Sequence, residues 1–500
     1  MTENSWFRDY CEKTTSHCMQ YFVMKDRSPV EKLFWILTFL CMISITCGAL
    51  RVLIDVWIDS PTIIFIENTE SAIQDIPFPS INICPSSQLR KWVWEKHMNT
   101  NTSYWENLQH YRYGLCSLDF YNYIGDKKAS RNYFDKDVIM RLINDCAISC
   151  SEVFQLDAKW ENLTVSNFCQ FVQPKLSLLG LCFSVNMMPS FQMLNNEYNQ
   201  RYLNFFLKNN SYIVTEKSNW NLDDGYPPNS ENDLLVNINP ARTSGVSHYH
   251  RLRLTINILD QEFFSCSSQS HFFITLSHPA EYFLTDPRSF IKPDTYTKIQ
   301  ITPFVKKIDS QLKWRSLEAR KCYLHNERKL SIFQQYTQVN CNMECVLNET
   351  LTICGCVSFD MVYLVAPSVQ ICGVSKRECL IKAQKATYEP EMQLICKCWP
   401  TCSVVEYKIA YTSHYDDWAY MKLTNIVKNN SRGATVEFVF NKPYFTAYTS
   451  TSIVDLDSLI SNIGGLISLC LGLNLINLFE ILYIMIKMIV NYIIHMFDNT

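Results

Sequence analysis

Two nearly uncharged stretches, one close to each end, constrain this chain more than any other feature. From Leu33 to Leu50 the sequence LFWILTFLCMISITCGAL carries no charge, and its length approaches the roughly 18 to 20 residues that cross a hydrocarbon core as helix. From Ser458 to Ile486 there is no basic residue and a single acid, Glu480. The pattern predicts transmembrane helices over residues 33–54 and 458–494. A cleaved signal peptide is the rival reading of the first, since Cys47, Gly48 and Ala49 imitate a small-residue cleavage site. Against it, the leader is long and the apolar run exceeds the roughly 7 to 15 residues of a signal core. Lys13, Lys25, Arg27 and Lys32 precede the run, whereas after Arg51 the next basic residue is Arg90. That bias keeps residues 1–32 in the cytoplasm, and a second crossing returns residues 495–500 there. Residues 55–457 are then extracellular, in a plasma-membrane protein that crosses twice.

Two independent chemistries agree with that topology. N-x-Ser/Thr acceptors at Asn101, Asn162, Asn209, Asn348 and Asn429 all fall between the two runs. So do 17 of the 22 cysteines, as expected where disulfides persist. Ten of these crowd between Cys322 and Cys402. Zinc would favour reduced CxxC pairs, but the intervals here are CxxxC, CxC and CxCxxxC. A nested set of bridges clamping two antiparallel helices accounts better for the order, each contributing roughly 2 to 4 kcal/mol. Elsewhere RLRLTINIL (251–259) and ATVEFVFNK (434–442) alternate as strands with one buried face. The second is read as the link from the outer domain to the last helix. Residues 219–243, rich in Asp, Gly and Pro, read as exposed loop.

The net charge of -3 gives no reason to expect a nucleic-acid partner. No P-loop, HExxH or GxSxG is present, so neither an enzyme nor a cofactor is expected. His248 and His250, which a strand would place on one face, read as solvated side chains ahead of a metal pair.

The second apolar run is chemically odd for an anchor. GGLISLCLGLNLINLFE (464–480) holds three of the chain's 12 glycines, two asparagines and the acid. Followed to Phe497, the run would reach about 60 Å as unbroken helix, twice a hydrocarbon core. Gly472, beside Asn474, is the expected break. Non-helical backbone at such depth is tolerated only where it is buried in protein or lines a watery cavity, and freed carbonyls facing a cavity are cation ligands. Asn474, Asn477 and Glu480, each three apart, form a polar stripe. Small residues and asparagines also glue membrane helices together, so these residues alone leave pore lining and helix packing both open. Two crossings cannot enclose a pore; conduction would need a symmetric assembly.

The run SNIGGLISLCLGLNLINLFE resembles the second membrane segment of the degenerin and epithelial sodium channel family, whose pattern is close to SNIGGxxGLFxGxSxLSxxE. HC at His17 and Cys18, FPSINIC from Phe78, GLCFSVN from Gly180 and the cysteine block extend the likeness almost end to end. ITPF, LEARKCYLHNERKL and YTQVNCNMEC are similar to the insect pickpocket branch. The resemblance implies a trimeric, sodium-preferring, voltage-independent cation channel, often amiloride-sensitive. Its fold would be α+β, with two transmembrane helices per subunit and a large disulfide-rich extracellular domain of β-rich palm and helical thumb. The implied partners are related subunits in a homo- or heterotrimer, membrane lipid and an extracellular stimulus, whether ligand, mechanical or osmotic, in sensory or epithelial cells. Sodium would be the permeant ion and no cofactor would be held.

The resemblance also implies bridges Cys84–Cys182, Cys322–Cys402, Cys341–Cys398, Cys345–Cys396, Cys354–Cys379 and Cys356–Cys372. It assigns no partner to Cys116, Cys146, Cys150, Cys169 or Cys266. By position, Gly472, Leu473 and Asn474 match the family's Gly-x-Ser selectivity filter, Ser461 its small-residue gate site and Glu480 its inner acid. His17 and Cys18 match the cytoplasmic His-Gly gating motif. Leu473 replaces a small residue, Asn474 a serine, Ser468 a common glycine and Cys18 a glycine. A carboxamide still offers an oxygen, so three copies would ligate a cation in a tighter or differently shaped ring. Cys18 has a Cβ that opposes positive φ, and altered gating is expected if the turn needs that conformation. A subunit that conducts beside a relative is therefore expected; a non-conducting regulatory subunit and a two-pass cell-surface receptor are the alternatives.

Overall fold

The computed structural model describes residues 10–498 apart from 13, 15, 25, 59–61, 99–102, 116–132, 155–157, 178–179, 207–219, 228–239, 260–261, 266–270, 283–288, 389–394 and 416–432. The chain divides into two compact units. One comprises Met1–Ile64, Asp309–Arg320 and Ser450–Thr500; the other comprises Phe65–Ile308 and Lys321–Thr449.

In the first unit a single helix, Pro29–Ile58, starts ahead of the uncharged run. A reciprocal cap explains the early start. Glu31 N–H donates to Ser28 Oγ and Ser28 N–H donates to Glu31 Oε2, each at 3.3 Å, while Pro29 occupies the first helical position, where a missing N–H costs nothing. Within the run Thr38, Ser44 and Thr46 donate their hydroxyls to carbonyls four residues back, at 2.9, 2.9 and 2.7 Å. These bonds satisfy polar groups without water. Among the described residues this is the one unbroken helix long and apolar enough to cross a membrane. The C-terminal run is split into Leu456–Leu471 and Leu475–Asp498. Leu456–Leu471 and Leu475–Lys487 meet the same criterion only as a pair, bent by 79°.

The second unit is built on two sheets. The larger runs in the order Thr62–Ala72, Tyr444–Ser452, Tyr296–Ile308, Gly433–Phe440, Leu252–Asn257, Ala158–Trp160, Leu163–Val165, with Val404–Tyr415 also pairing to Tyr296–Ile308. Gly433–Phe440 is buried at every position. Its one acid, Glu437, is 1% exposed and is held by Arg251 Nη1 at 2.5 Å and Arg253 Nε at 2.6 Å. The smaller sheet orders Ser289–Ile291, Phe272–Ser277, Ser80–Pro85, Gly180–Val185 and Val172–Ser177. Phe78 joins the core edge-on to Trp160 and Phe440, at 5.0 and 5.4 Å between ring centres.

Seven disulfides lie among the described residues of this unit. Six are the pairs implied by the family likeness, from Cys84–Cys182 to Cys356–Cys372. The seventh, Cys150–Cys169, joins two cysteines left without partners above. Cys146 is a buried free thiol, and Cys116 and Cys266 lie outside the described residues.

Several sequence expectations change here. The strand that leads into Leu456–Leu471 is Tyr444–Ser452, not the segment from Ala434, because the chain reverses after Phe440 and forms one more strand. Only Cys354–Cys379 ties the helix Gln338–Cys354 to the helix Arg377–Tyr388; Cys396, Cys398 and Cys402 lie beyond the second helix and strap the returning chain. His248 and His250 sit in a turn, where His250 Nδ1 meets Ser244 Oγ at 2.9 Å. The expected loop 219–243 is anchored by buried Trp220 and Thr243. Of the glycan acceptors, Asn162 is exposed in a turn and Asn348 is exposed on a helix, while Asn101, Asn209 and Asn429 lie outside the described residues.

Candidate functional site

Ending a helix inside an apolar run leaves carbonyls that need donors. Leu456–Leu471 ends at Gly472, which takes φ 64°, and its N–H closes the last turn on Ser468 O at 2.9 Å. The Leu471 carbonyl is met from the far end of the chain. His17 N–H donates to it at 2.9 Å and Ser16 Oγ at 3.2 Å. The His17 ring lies so close that a Cβ on residue 472 would stand 2.9 Å from its Cγ and Nδ1. Gly472 is thus required by backbone angle and by space at once.

The leader reaches this place by a sharp turn. Cys18 takes φ 66° at the start of the helix Met19–Val23, the conformation that its Cβ disfavours. Beyond it Tyr21 stacks on Trp35 at 4.5 Å and Phe22 packs edge-on to Phe39 at 5.7 Å, fixing the leader to Pro29–Ile58.

On the other side of the break the two asparagines cap the next helix reciprocally. Asn477 N–H donates to Asn474 Oδ1 at 3.0 Å, and Asn474 N–H donates to Asn477 Oδ1 at 3.1 Å. Asn477 Nδ2 also donates to Thr14 Oγ1 at 3.2 Å, and the residue is 1% exposed. Within one copy, then, Asn477 serves the leader while Asn474 is exposed and Leu473 and Glu480 are half-buried. Ser461 and Ser468, seven apart on Leu456–Leu471, are exposed on one helix face. Sequence reasoning missed Thr14 and Ser16; the polar run just ahead of His17 was their only trace.

At the opposite end of these helices, Arg315 lies over the Trp57 ring at 5.0 Å and donates to Val454 O at 3.5 Å. Asp309 N–H donates to Ser450 O at 2.9 Å. The short segment Asp309–Arg320 therefore grips both the end of Pro29–Ile58 and the approach to Leu456. Among the described residues no group of three or more His, Cys, Asp or Glu is placed to hold a metal ion.

An interrupted apolar helix clasped by an N-terminal leader, in a chain that also carries a disulfide-strapped α+β unit, describes an ion-channel subunit better than an enzyme. The profile of the amiloride-sensitive sodium channel family matches residues 10–484, and the chain belongs to that family, whose members are channels and not enzymes. Similar proteins include Pickpocket protein 28 of Drosophila melanogaster, 23% identical over 95% of this chain and 77% of the relative. Sodium channel protein Nach of the same fly is 21% identical over 95% of this chain and 86% of its own length. The epithelial sodium channel subunit alpha of Rattus norvegicus is 25% identical over 31% of this chain and 24% of its own. These likenesses place the chain in the insect pickpocket-like branch.

Proposed function

We propose that this chain is a subunit of a trimeric, voltage-independent, sodium-preferring cation channel of the plasma membrane, with both termini cytoplasmic, opened by an extracellular stimulus. Each copy would contribute Gly472, Leu473 and Asn474 to a ring around the axis, with Ser461, Ser468 and Glu480 along the path. The observation that carries the reading is the break at Gly472, whose freed Leu471 carbonyl is held by Ser16 and His17. A plain anchor has no need of such a break, whereas a filter requires non-helical backbone beside a watery cavity. A stimulus acting on the outer unit can open the pore only through different affinity for, or work on, the closed and open states.

One observation favours a second reading, a regulatory subunit that does not conduct by itself. Asn474 Oδ1 already accepts the Asn477 N–H, which leaves less of it for a passing cation. Recording currents from cells that express the chain alone and beside a related subunit, native or Asn474→Ser, separates the two. A change in ion preference supports pore lining. A change in current size alone supports regulation, and neither current nor co-assembly refutes both.

A further inference from the structure

Trp314 is 91% exposed, more than any other large hydrophobic side chain among the described residues. It lines a cavity of about 550 Å³, within the roughly 300 to 1,000 Å³ typical of ligand sites. The cavity lies wholly within the first unit. Trp57 and Ile58, from the last turn of Pro29–Ile58, contribute to its lining, as do Val454 and Leu456 at the entry to Leu456–Leu471. Ile58 and Leu456 are exposed as well. Apolar surface gathered in this way and left bare marks a place where something docks.

The position of the cavity selects the occupant. One apolar segment ends here and the other begins, and residues 55–457 read as extracellular, so the cavity opens at the depth of the outer headgroups. Tryptophan is enriched at that depth, because its ring is apolar and its N–H polar. Arg315 lines the same cavity. Its guanidinium, half-buried over the Trp57 ring, loses more from poor hydration than Asp455 restores. A charge so placed gains from a phosphate, whose oxygens match the guanidinium fork. Asp455 and Asp457 also line the cavity, which disfavours a headgroup of net negative charge. A phosphodiester that carries its own cationic amine escapes that penalty.

We propose that this cavity seats the headgroup of a zwitterionic phospholipid of the outer leaflet, with its phosphate on Arg315 and its upper acyl chain against Trp314, Ile58 and Leu456. The site depends on the two apolar segments crossing a membrane, and not on conduction.

The test places the full-length glycosylated chain in phosphatidylcholine nanodiscs doped with a phosphatidylcholine that carries a photoreactive diazirine high on one acyl chain. After irradiation, peptide mass spectrometry should find lipid adducts at Trp57 and Ile58 and, as a reference for general lipid contact, within residues 33–54. Arg315→Gln should lower the yield at Trp57 and Ile58 at least about tenfold, and Arg315→Lys, which keeps the charge without the fork, by less. Trp314→Ala, at a position too exposed to disturb folding, should lower it several-fold. All three should leave the adducts within 33–54 unchanged. Replacing half the host lipid by phosphatidylglycerol should raise the yield at Trp57 and Ile58, and millimolar glycerophosphocholine, which lacks acyl chains, should leave it unchanged. Labelling of 33–54 without Trp57 and Ile58, native yield in Arg315→Gln or Trp314→Ala, a fall with phosphatidylglycerol, or competition by glycerophosphocholine would overturn the assignment. Loss of the 33–54 adducts in the native chain would overturn the membrane reading, and the site with it.

Discussion

Replacing Gly472 by alanine puts the leader clasp under the most direct strain. At φ 64° an alanine costs roughly 1 to 2 kcal/mol relative to glycine. Its Cβ would also lie 2.9 Å from the His17 ring. The ring cannot retreat freely, because the His17 N–H and the neighbouring Ser16 hydroxyl both bond to the Leu471 carbonyl. Losing those two bonds adds about 1 kcal/mol each. The docked leader should thus be weakened by about 3 to 4 kcal/mol, more than a hundredfold in population. In a His17→Ala background the ring is absent and only the backbone cost remains, about 5- to 30-fold. Cys11, fully buried in the leader, supplies the readout. Its maleimide labelling, resolved by peptide mass spectrometry on permeabilised cells, should accelerate by those two factors. The difference is a coupling of about 2 kcal/mol between positions 17 and 472. Equal acceleration in both backgrounds would refute the steric argument, and a Cys11 that stays protected would refute the clasp.

Cys18→Gly should act in the opposite sense, removing about 1 to 2 kcal/mol of left-handed strain and slowing Cys11 labelling. Glu437→Ala strands Arg251 and Arg253 beside a fully buried position, so a loss of about 3 to 5 kcal/mol is expected, read as failure of the protein to reach the cell surface. Burial pushes the His278 imidazole down to about 3 and the Glu281 carboxyl up to about 7. Between about pH 4.5 and 6.5 the unfolded chain gains a proton at His278 that the folded chain refuses, while the folded chain keeps one at Glu281, so the two slopes cancel. His278→Gln should unmask Glu281, and stability should then fall by about 1.4 kcal/mol per unit as pH rises through that window, read as a falling thermal midpoint. Enzymatic removal of N-glycans should increase mobility on a gel, and a smaller shift is expected after Asn162→Gln, since that acceptor is exposed in a turn.

What could be read from the sequence followed the range of the interactions involved. The break was legible because a local excess of apolar length met a glycine. The six implied bridges came with the family pattern, whereas Cys150–Cys169 did not, since spacing alone leaves connectivity open. Tyr444–Ser452 was hidden because its buried positions include Thr449, Ser450 and Ser452, which do not register as an apolar face. The reciprocal cap of Asn474 and Asn477 is in principle visible as an N-cap and N3 pair, but polar side chains in an apolar run point first to pore lining or helix packing, which sequence leaves open. The clasp lay beyond any local pattern, because Ser16 and Leu471 are separated by 455 positions.

The departures at 18 and 474, together with Asn477, become one problem once the clasp is considered. The Leu471 carbonyl must be satisfied, and the leader can present Ser16 and the His17 N–H to it only if the chain turns at residue 18. Where the family has glycine that turn is unstrained; with Cys18 at φ 66° it opposes docking by roughly 1 to 2 kcal/mol. Asn477, in the same chain, reaches back to Thr14 and contributes a hydrogen bond of about 1 kcal/mol that holds the leader in place. Asn474 orients that carboxamide by capping the same helix turn. The asparagine pair therefore offsets much of the strain of the cysteine, and the clasp keeps its balance with different residues. It follows that Cys18→Gly combined with Asn477→Leu should restore near-native Cys11 labelling, although each change alone shifts it in opposite directions.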